Sequence, residues 1–370
     1  MKRRDFNRLL IYGTAATPFI GRRALGAAAP RIEVVPLQEE HVQDAAVLLT
    51  KQYLAIRQRE PSLPSIDDVA VRMAEIFAER GLPAFDETAG LLPLLQLHRP
   101  FSPRPRRPAV AAFKDGQLVG YLRTSGLAPN SAYTGMQNLA VESVDGDQTY
   151  REMYASVAQQ WLAEGHTSHF VKVFAADRQA VETWFSLGFG QLSVQGFRDT
   201  NYTHEEAAGI EVVPARAEHI EMLVQLQAEH RRYQSEAPML IPFESASPDI
   251  VEARQEEMEA LLRDPDRPYW VAFQNGNPAG MMGLGPAAGS GLSPLLQMTR
   301  MVMVDDALTG EAARDPNVRG MLLDTALNWA RGQGHERCYV EFRPADTLAR
   351  QFWFGVGFQP VAYWLMRNTL

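Results

Sequence analysis

The chain has 370 residues, 46% hydrophobic and 22% charged, enough to bury two ordinary globular cores. A formal net charge of −8 lacks the basic surface that phosphate neutralisation needs, which excludes a general nucleic-acid binder. No apolar run reaches the roughly 18 residues of a membrane span, and the single Cys338 excludes an internal disulfide and a Cys-rich metal site.

Residues 1–29 read as a leader. Lys2-Arg3-Arg4-Asp5-Phe6-Asn7-Arg8 resembles the twin-arginine export motif. A mildly apolar stretch, 9–20, follows, diluted by Gly13, Thr14, Thr17 and Pro18, and then Arg22 and Arg23. Small residues over 24–29 suit signal peptidase, and Pro30 moves the expected cut from Ala29 back to Gly26 or Ala28. A periplasmic or exported mature protein is therefore expected.

A strand is expected at 32–35, then a helix over 39–59 with Val42, Ala45, Ala46, Leu49, Tyr53 and Ile56 on one face. A second helix, 66–80, starts at Asp67 and Asp68 and stops at Gly81. Residues 99–108 are too rich in proline for helix or inner strand. They form a basic extended loop, either a binder of an acidic ligand or a solvated connection. Strands at 109–113 and 118–124 form a hairpin turning on Asp115-Gly116, followed by a strand at 136–141. A helix at 150–164, a strand at 169–174, a short helix at 179–185 and a strand near 191–197 close the half.

A polar linker, 200–209, leads to the same order again. A strand at 210–213 precedes helices near 216–234 and 248–263 and a hairpin at 269–284 turning on Asn275-Gly276. A strand at 298–304, a helix at 319–331, a strand at 336–342, a helix at 346–354 and a strand near 359–367 follow. Cys338 falls in the alternating Cys338-Tyr339-Val340-Glu341-Phe342 and reads as a small packing residue, since no base is placed beside it.

Three segments recur in the same order. Ile32-Glu33-Val34-Val35-Pro36 with Glu40-His41 returns as Ile210-Glu211-Val212-Val213-Pro214 with Glu218-His219, a shift of 210 − 32 = 178. Ala112-Phe113 returns as Ala272-Phe273, a shift of 160, and Trp184-Phe185-Ser186-Leu187-Gly188-Phe189 as Trp353-Phe354-Gly355-Val356-Gly357-Phe358, a shift of 169. A unit of about 170 residues is the size of a domain rather than a solenoid repeat. Two tandem domains are expected, 30–200 and 209–370.

This order of elements, Gln137-Asn138-Leu139-Ala140-Val141 before the long helix, and the two Trp-Phe-x-x-Gly-Phe segments resemble the GNAT acyltransferase superfamily. The resemblance implies an α/β (α+β) fold of two GNAT-like domains, each a mixed twisted sheet flanked by helices. It implies acetyl-CoA or another acyl-CoA in a V-shaped gap between the fourth and fifth strands, and a small-molecule amine or peptide as acceptor. The family cradles the pyrophosphate with Gln/Arg-x-x-Gly-x-Gly/Ala at a helix start, where backbone N–H groups face the anion. The first half has Asp145-Gly146-Asp147-Gln148-Thr149-Tyr150 there: two carboxylates and a bulky ring oppose the anion. The second half has Arg314-Asp315-Pro316-Asn317-Val318-Arg319-Gly320, which keeps a cation and a glycine. Val304, Val318, Arg319 and Gly320 are thus the expected cofactor contacts, and the first half is a degenerate copy.

The family's general acid, a Tyr on the last helix, is replaced by Trp184 and Trp353, whose indoles donate no proton at neutral pH. Tyr363 lies ten residues beyond Trp353 and is not assumed to replace it. Glu142 in the first half and Asp305 with Asp306 in the second stand where the family places a carboxylate base. Two readings follow. In the first, the second half is an N-acyltransferase in which Asp305 or Asp306 deprotonates the amine and backbone N–H groups near Val304 polarise the carbonyl. In the second, the chain is a non-catalytic exported binding protein that reuses the fold.

Overall fold

A computed structural model describes residues 31–79, 91–96, 107–236, 238–239, 241, 248–287, 292–309 and 315–369. The leader and most of the proline-rich loop lie outside these residues. Ile32–Leu370 form one compact unit.

The first half runs β1 (Glu33–Pro36), α1 (Val42–Arg59), α2 (Ile66–Glu79), α3 (Leu92–Gln96), β2 (Ala109–Lys114) and β3 (Gln117–Arg123). It continues with β4 (Gly126–Ala128), β5 (Ser131–Thr134), a 3-10 turn at Met136–Asn138, β6 (Leu139–Val141), α4 (Gly146–Ala163), β7 (Ser168–Phe174), α5 (Arg178–Ser186) and β8 (Gly190–Asp199). The second half runs β9 (Ile210–Pro214), α6 (Ile220–Ser235), α7 (Pro248–Arg263), β10 (Tyr269–Gln274), β11 (Asn277–Pro286) and β12 (Met301–Thr309). It ends with α8 (Pro316–Gly332), β13 (Arg337–Phe342), α9 (Thr347–Gly355) and β14 (Gln359–Asn368). The expected elements are present, except that Met136–Asn138, expected to open a strand, form a 3-10 turn before β6. The α3 turn and the β4–β5 hairpin were not foreseen, because both are too short to carry a period.

The repeated segments recur for structural reasons. His41 and His219 each close a 3-10 turn between strand and helix, where Nδ1 accepts the N–H of Gln38 or Arg216 at 3.1 Å. Each ring meets an aromatic edge, Phe113 at 5.1 Å and Phe273 at 5.9 Å. Both hairpins turn on two residues of positive φ, Asp115 (51°) with Gly116 (77°) and Asn275 (52°) with Gly276 (79°), the backbone that a tight hairpin requires. Trp184 packs edge-on to Phe189 at 4.9 Å and Trp353 to Phe358 at 5.2 Å, in separate cores.

Two sheets result. One has the order β1-β2-β3-β6, and the other β4-β5-β7-β14-β8-β13-β12-β11-β10-β9. The closing strands are exchanged between halves. β8 pairs with β13 and β14, both from the second half, and β14 pairs with β7 and β8, both from the first. Helices cover both faces. Tyr269 and Val271 pack with α6 and α7, whereas Trp270 and Ala272 pack with α8. In the first half, Tyr121 packs with α1–α3, and its neighbour Gly120 faces Thr149 and Met153 of α4. The core under α1–α3 also takes in Leu295, Met301, Tyr339 and Val361 of the second half, so more is shared than separate sheets would share.

Candidate functional site

β12 and β13 run parallel and pair only from Met301–Arg337 to Met303–Tyr339. Beyond Met303 the strands part, and β12 stays with β11 while β13 stays with β8. At that point Val304 opposes Leu284 and Asp306 opposes Gly283, which leaves Asp305 as the extra residue of a β-bulge. The Val304 N–H is turned to the buried thiol of Cys338. Burial pushes that thiol up to about 12, so Cys338 is a packing residue and not a nucleophile.

Asp305 faces the α6–α7 side, beside Tyr269, and its carboxylate is tied to the Arg267 guanidinium. The Asp306 side chain lies outside the described residues. The start of α8 is already occupied. Asp315 caps it, accepting the Asn317 N–H at 2.9 Å and the Gln274 amide at 2.9 Å. Arg319 donates to the Leu348 carbonyl at 3.1 Å, and its guanidinium lies 5.0 Å from the Phe352 ring centre, so it tethers α8 to α9. Asp346, which caps α9 through the Ala349 N–H and accepts the Tyr233 hydroxyl at 3.1 Å, lies near it. Gly320 is buried against the linker, with the His204 ring where a side chain would be. Val304 and Val318 pack into the core beneath α8.

The first half has the same frame, filled differently. Tyr150 occupies the position of Arg319 (319 − 150 = 169), fully buried, 6.0 Å from the Trp184 ring. Asp177 corresponds to Asp346; it caps α5 and accepts the Gln52 amide at 2.8 Å. Asp145 is paired with Lys114, and Asp147 accepts from Arg151 at 2.9 Å and from Thr183 at 2.9 Å. Glu142 is an exposed residue just past β6, with its N–H bonded to the Val119 carbonyl at 2.8 Å. The Trp184 Nε1 is buried without a partner among the described residues.

These residues test the fit of an acyl-CoA. In the first half, Tyr150 and Trp184 fill the space and the carboxylates are committed, so the group does not fit. In the second half the strands part beyond Met303, but the start of α8 does not fit a pyrophosphate. Its cap is a carboxylate, and the approach over Gly320 is taken by His204. The sequence could not show this, because His204 lies 116 residues before Gly320 (320 − 204 = 116) in a linker with no periodic pattern.

One order of strands and helices given twice in the chain, with fourth and fifth strands that part, is that of the GNAT-superfamily acetyltransferase fold. The sequence profile of the acetyltransferase (GNAT) family matches residues 232–358, from α6 to α9. A GCN5-related N-acetyltransferase from Sphaerobacter thermophilus shares the fold at a TM-score of 0.51, with 10% identity over 91% of this chain and 96% of that one. A tandem GNAT protein from the clavulanic acid biosynthesis pathway aligns at a TM-score of 0.44, with 15% identity over 92% of this chain and 99% of that one. No curated protein sequence matches the chain.

Proposed function

We propose that the second half is the working copy of an N-acyltransferase, moving an acetyl or other acyl group from an acyl thioester to the amine of a small molecule or peptide. The observation that carries this reading is the parting of β12 from β13 beside the bulge at Asp305. The bound thioester would supply the activated acyl carbon. The chain supplies the opening between β12 and β13 beyond Met303 and the Asp305 carboxylate, which takes the amine proton once the amine competes with Arg267 for it. The first half supports the fold, and its closing strand β8 completes the sheet beside β13.

Acetyl-CoA or another acyl-CoA is the donor this reading names, held chiefly by its thioester end. Calorimetry with acetyl-CoA and with S-acetylpantetheine tests it. The two should bind within about ten-fold of each other, because the nucleotide finds no cradle. Binding of neither would end the reading. It would leave the second one, a non-catalytic binding protein, which the Asp315 cap and the two Trp residues at the general-acid positions favour. The proposal includes export. Arg3-Arg4, an apolar stretch and small residues stand in the order that a twin-arginine leader needs.

A further inference from the structure

The exchange of closing strands brings together two positions that the duplication made equivalent. Lys172 on β7 and Glu341 on β13 are separated by 341 − 172 = 169, the shift that relates Trp184 to Trp353. One copy has become a cation and the other an anion. Register puts them on one face. Lys172 opposes Trp364, Trp364 opposes Ser193, and Gln195 opposes Glu341, and directly opposed residues share a face.

The carboxylate is held in place. Ser193 Oγ donates to Glu341 at 2.6 Å, Gln195 Nε2 at 2.7 Å and the Tyr339 hydroxyl at 2.9 Å. The cation is also placed. Lys172 is 5% exposed and its Nζ lies 4.4 Å from the centre of the Trp364 ring. It makes no hydrogen bond or ion pair among the described residues, and burial lowers its pKa to about 8 against the opposing pull of the Glu341 carboxylate. Gln195 is 1% exposed, and its Oε1 is buried without a partner among the described residues. Tyr133, stacked on Phe170 at 4.7 Å and edge-on to Trp364 at 6.4 Å, adds an aromatic wall. Burying an ammonium and an amide oxygen with no hydrogen-bond partner is costly unless a ligand or water satisfies them.

The geometry points to a binding site for a small zwitterion on this face, its carboxylate on Lys172, its ammonium on Glu341 and Gln195 Oε1, and its aliphatic chain along Trp364. Lys172 and Glu341 stand three strands apart, roughly 14 Å at the backbone, but Lys172 leans over Trp364 on β14 and Glu341 towards Ser193 and Gln195 on β8, which leaves about 5–10 Å between the charges, the span of a short ω-amino acid. The site does not depend on acyl transfer, and its test needs no thioester.

Glycine, β-alanine, 4-aminobutyrate, 5-aminopentanoate and 6-aminohexanoate are titrated against the protein, with Trp fluorescence and calorimetry as readouts. Affinity should peak at one chain length, and butyrate and butylamine should bind at least ten-fold more weakly than the best zwitterion. Lys172→Met and Glu341→Gln, close in size to the native residues and checked for folding by circular dichroism, should each weaken that ligand at least ten-fold. Absence of saturable binding across the series, equal binding of the single-charge controls, or unchanged affinity in both folded variants would overturn the proposal.

Discussion

A Cβ placed on Gly320 would sit 2.5–2.6 Å from three atoms of the His204 ring. That contact gives the glycine a packing role in place of the phosphate approach its position in the sequence implied. The consequence is a sign reversal. Gly320→Ala should destabilise the native protein by about 1–2 kcal/mol through overpacking. In a His204→Ala background the same change should be neutral or stabilising by roughly 0.5–1 kcal/mol, because alanine is the better helix former. Urea titration of the four proteins decides it; a destabilisation that persists without His204 refutes the contact. Lys172 carries a second prediction. Its folded pKa, about 8, lies below the ordinary 10.5, so the unfolded chain binds more protons between those values and native stability rises with pH across that window. Below pH 8 the buried charge costs roughly 3 kcal/mol. Lys172→Met should therefore exceed the native protein in stability at pH 7, with an advantage that shrinks towards pH 10. An advantage independent of pH would refute the burial argument.

At the scale of the element, α8 and α4 start from equivalent places and are closed in different ways. α4 is preceded by Asp145 at φ 56°, while α8 begins with Pro316 after the Asp315 cap. An N-terminal carboxylate satisfies the helix dipole and competes with any other anion for the same N–H groups. Asp315→Ala should cost about 1 kcal/mol of stability. It should also tighten acetyl-CoA binding, measured by calorimetry, with little effect on S-acetylpantetheine. Loss of stability with no change in the ratio of the two affinities would show that the nucleotide does not approach α8. Arg319 was expected to meet the cofactor but reaches Leu348 on α9, since a long side chain takes the nearest buried acceptor that the fold offers.

At the scale of the whole molecule, all neighbours of β8 and β14 belong to the opposite half. Residues 31–208 made alone would leave β8 without a strand partner and β7 paired on its β5 edge alone, and an exposed strand edge recruits other chains. Each half alone should be insoluble or self-associated, and co-expression of 31–208 with 209–370 should yield a one-to-one complex by size-exclusion chromatography. A stable monomeric half would contradict the exchange. Replacing Arg3 and Arg4 together by Lys should leave precursor in the cytoplasm, as fractionation would show. Unchanged export would end the twin-arginine proposal.

Most of the fold was legible in the sequence, and less of the site. Period and turn chemistry located the strands, the long helices and both hairpins, because Asp115-Gly116 and Asn275-Gly276 are local signals read within a few residues. The recurrence of Glu40-His41 and the Trp-Phe-x-x-Gly-Phe segments revealed the duplication, because a copied fold keeps the corners that close it. The fate of the candidate residues depends on groups distant in the chain: Arg267 on Asp305, His204 on Gly320 and Leu348 on Arg319. Lys172 and Glu341 carried no signal at all as isolated charges in two strands. By itself the sequence determined the elements, their order and their doubling, since these follow from local propensity and the hydrophobic period. Only the tertiary structure decided which strand closes which half, and so which charges meet, because strand pairing across more than a hundred residues is set by the packing of whole faces and leaves no local mark.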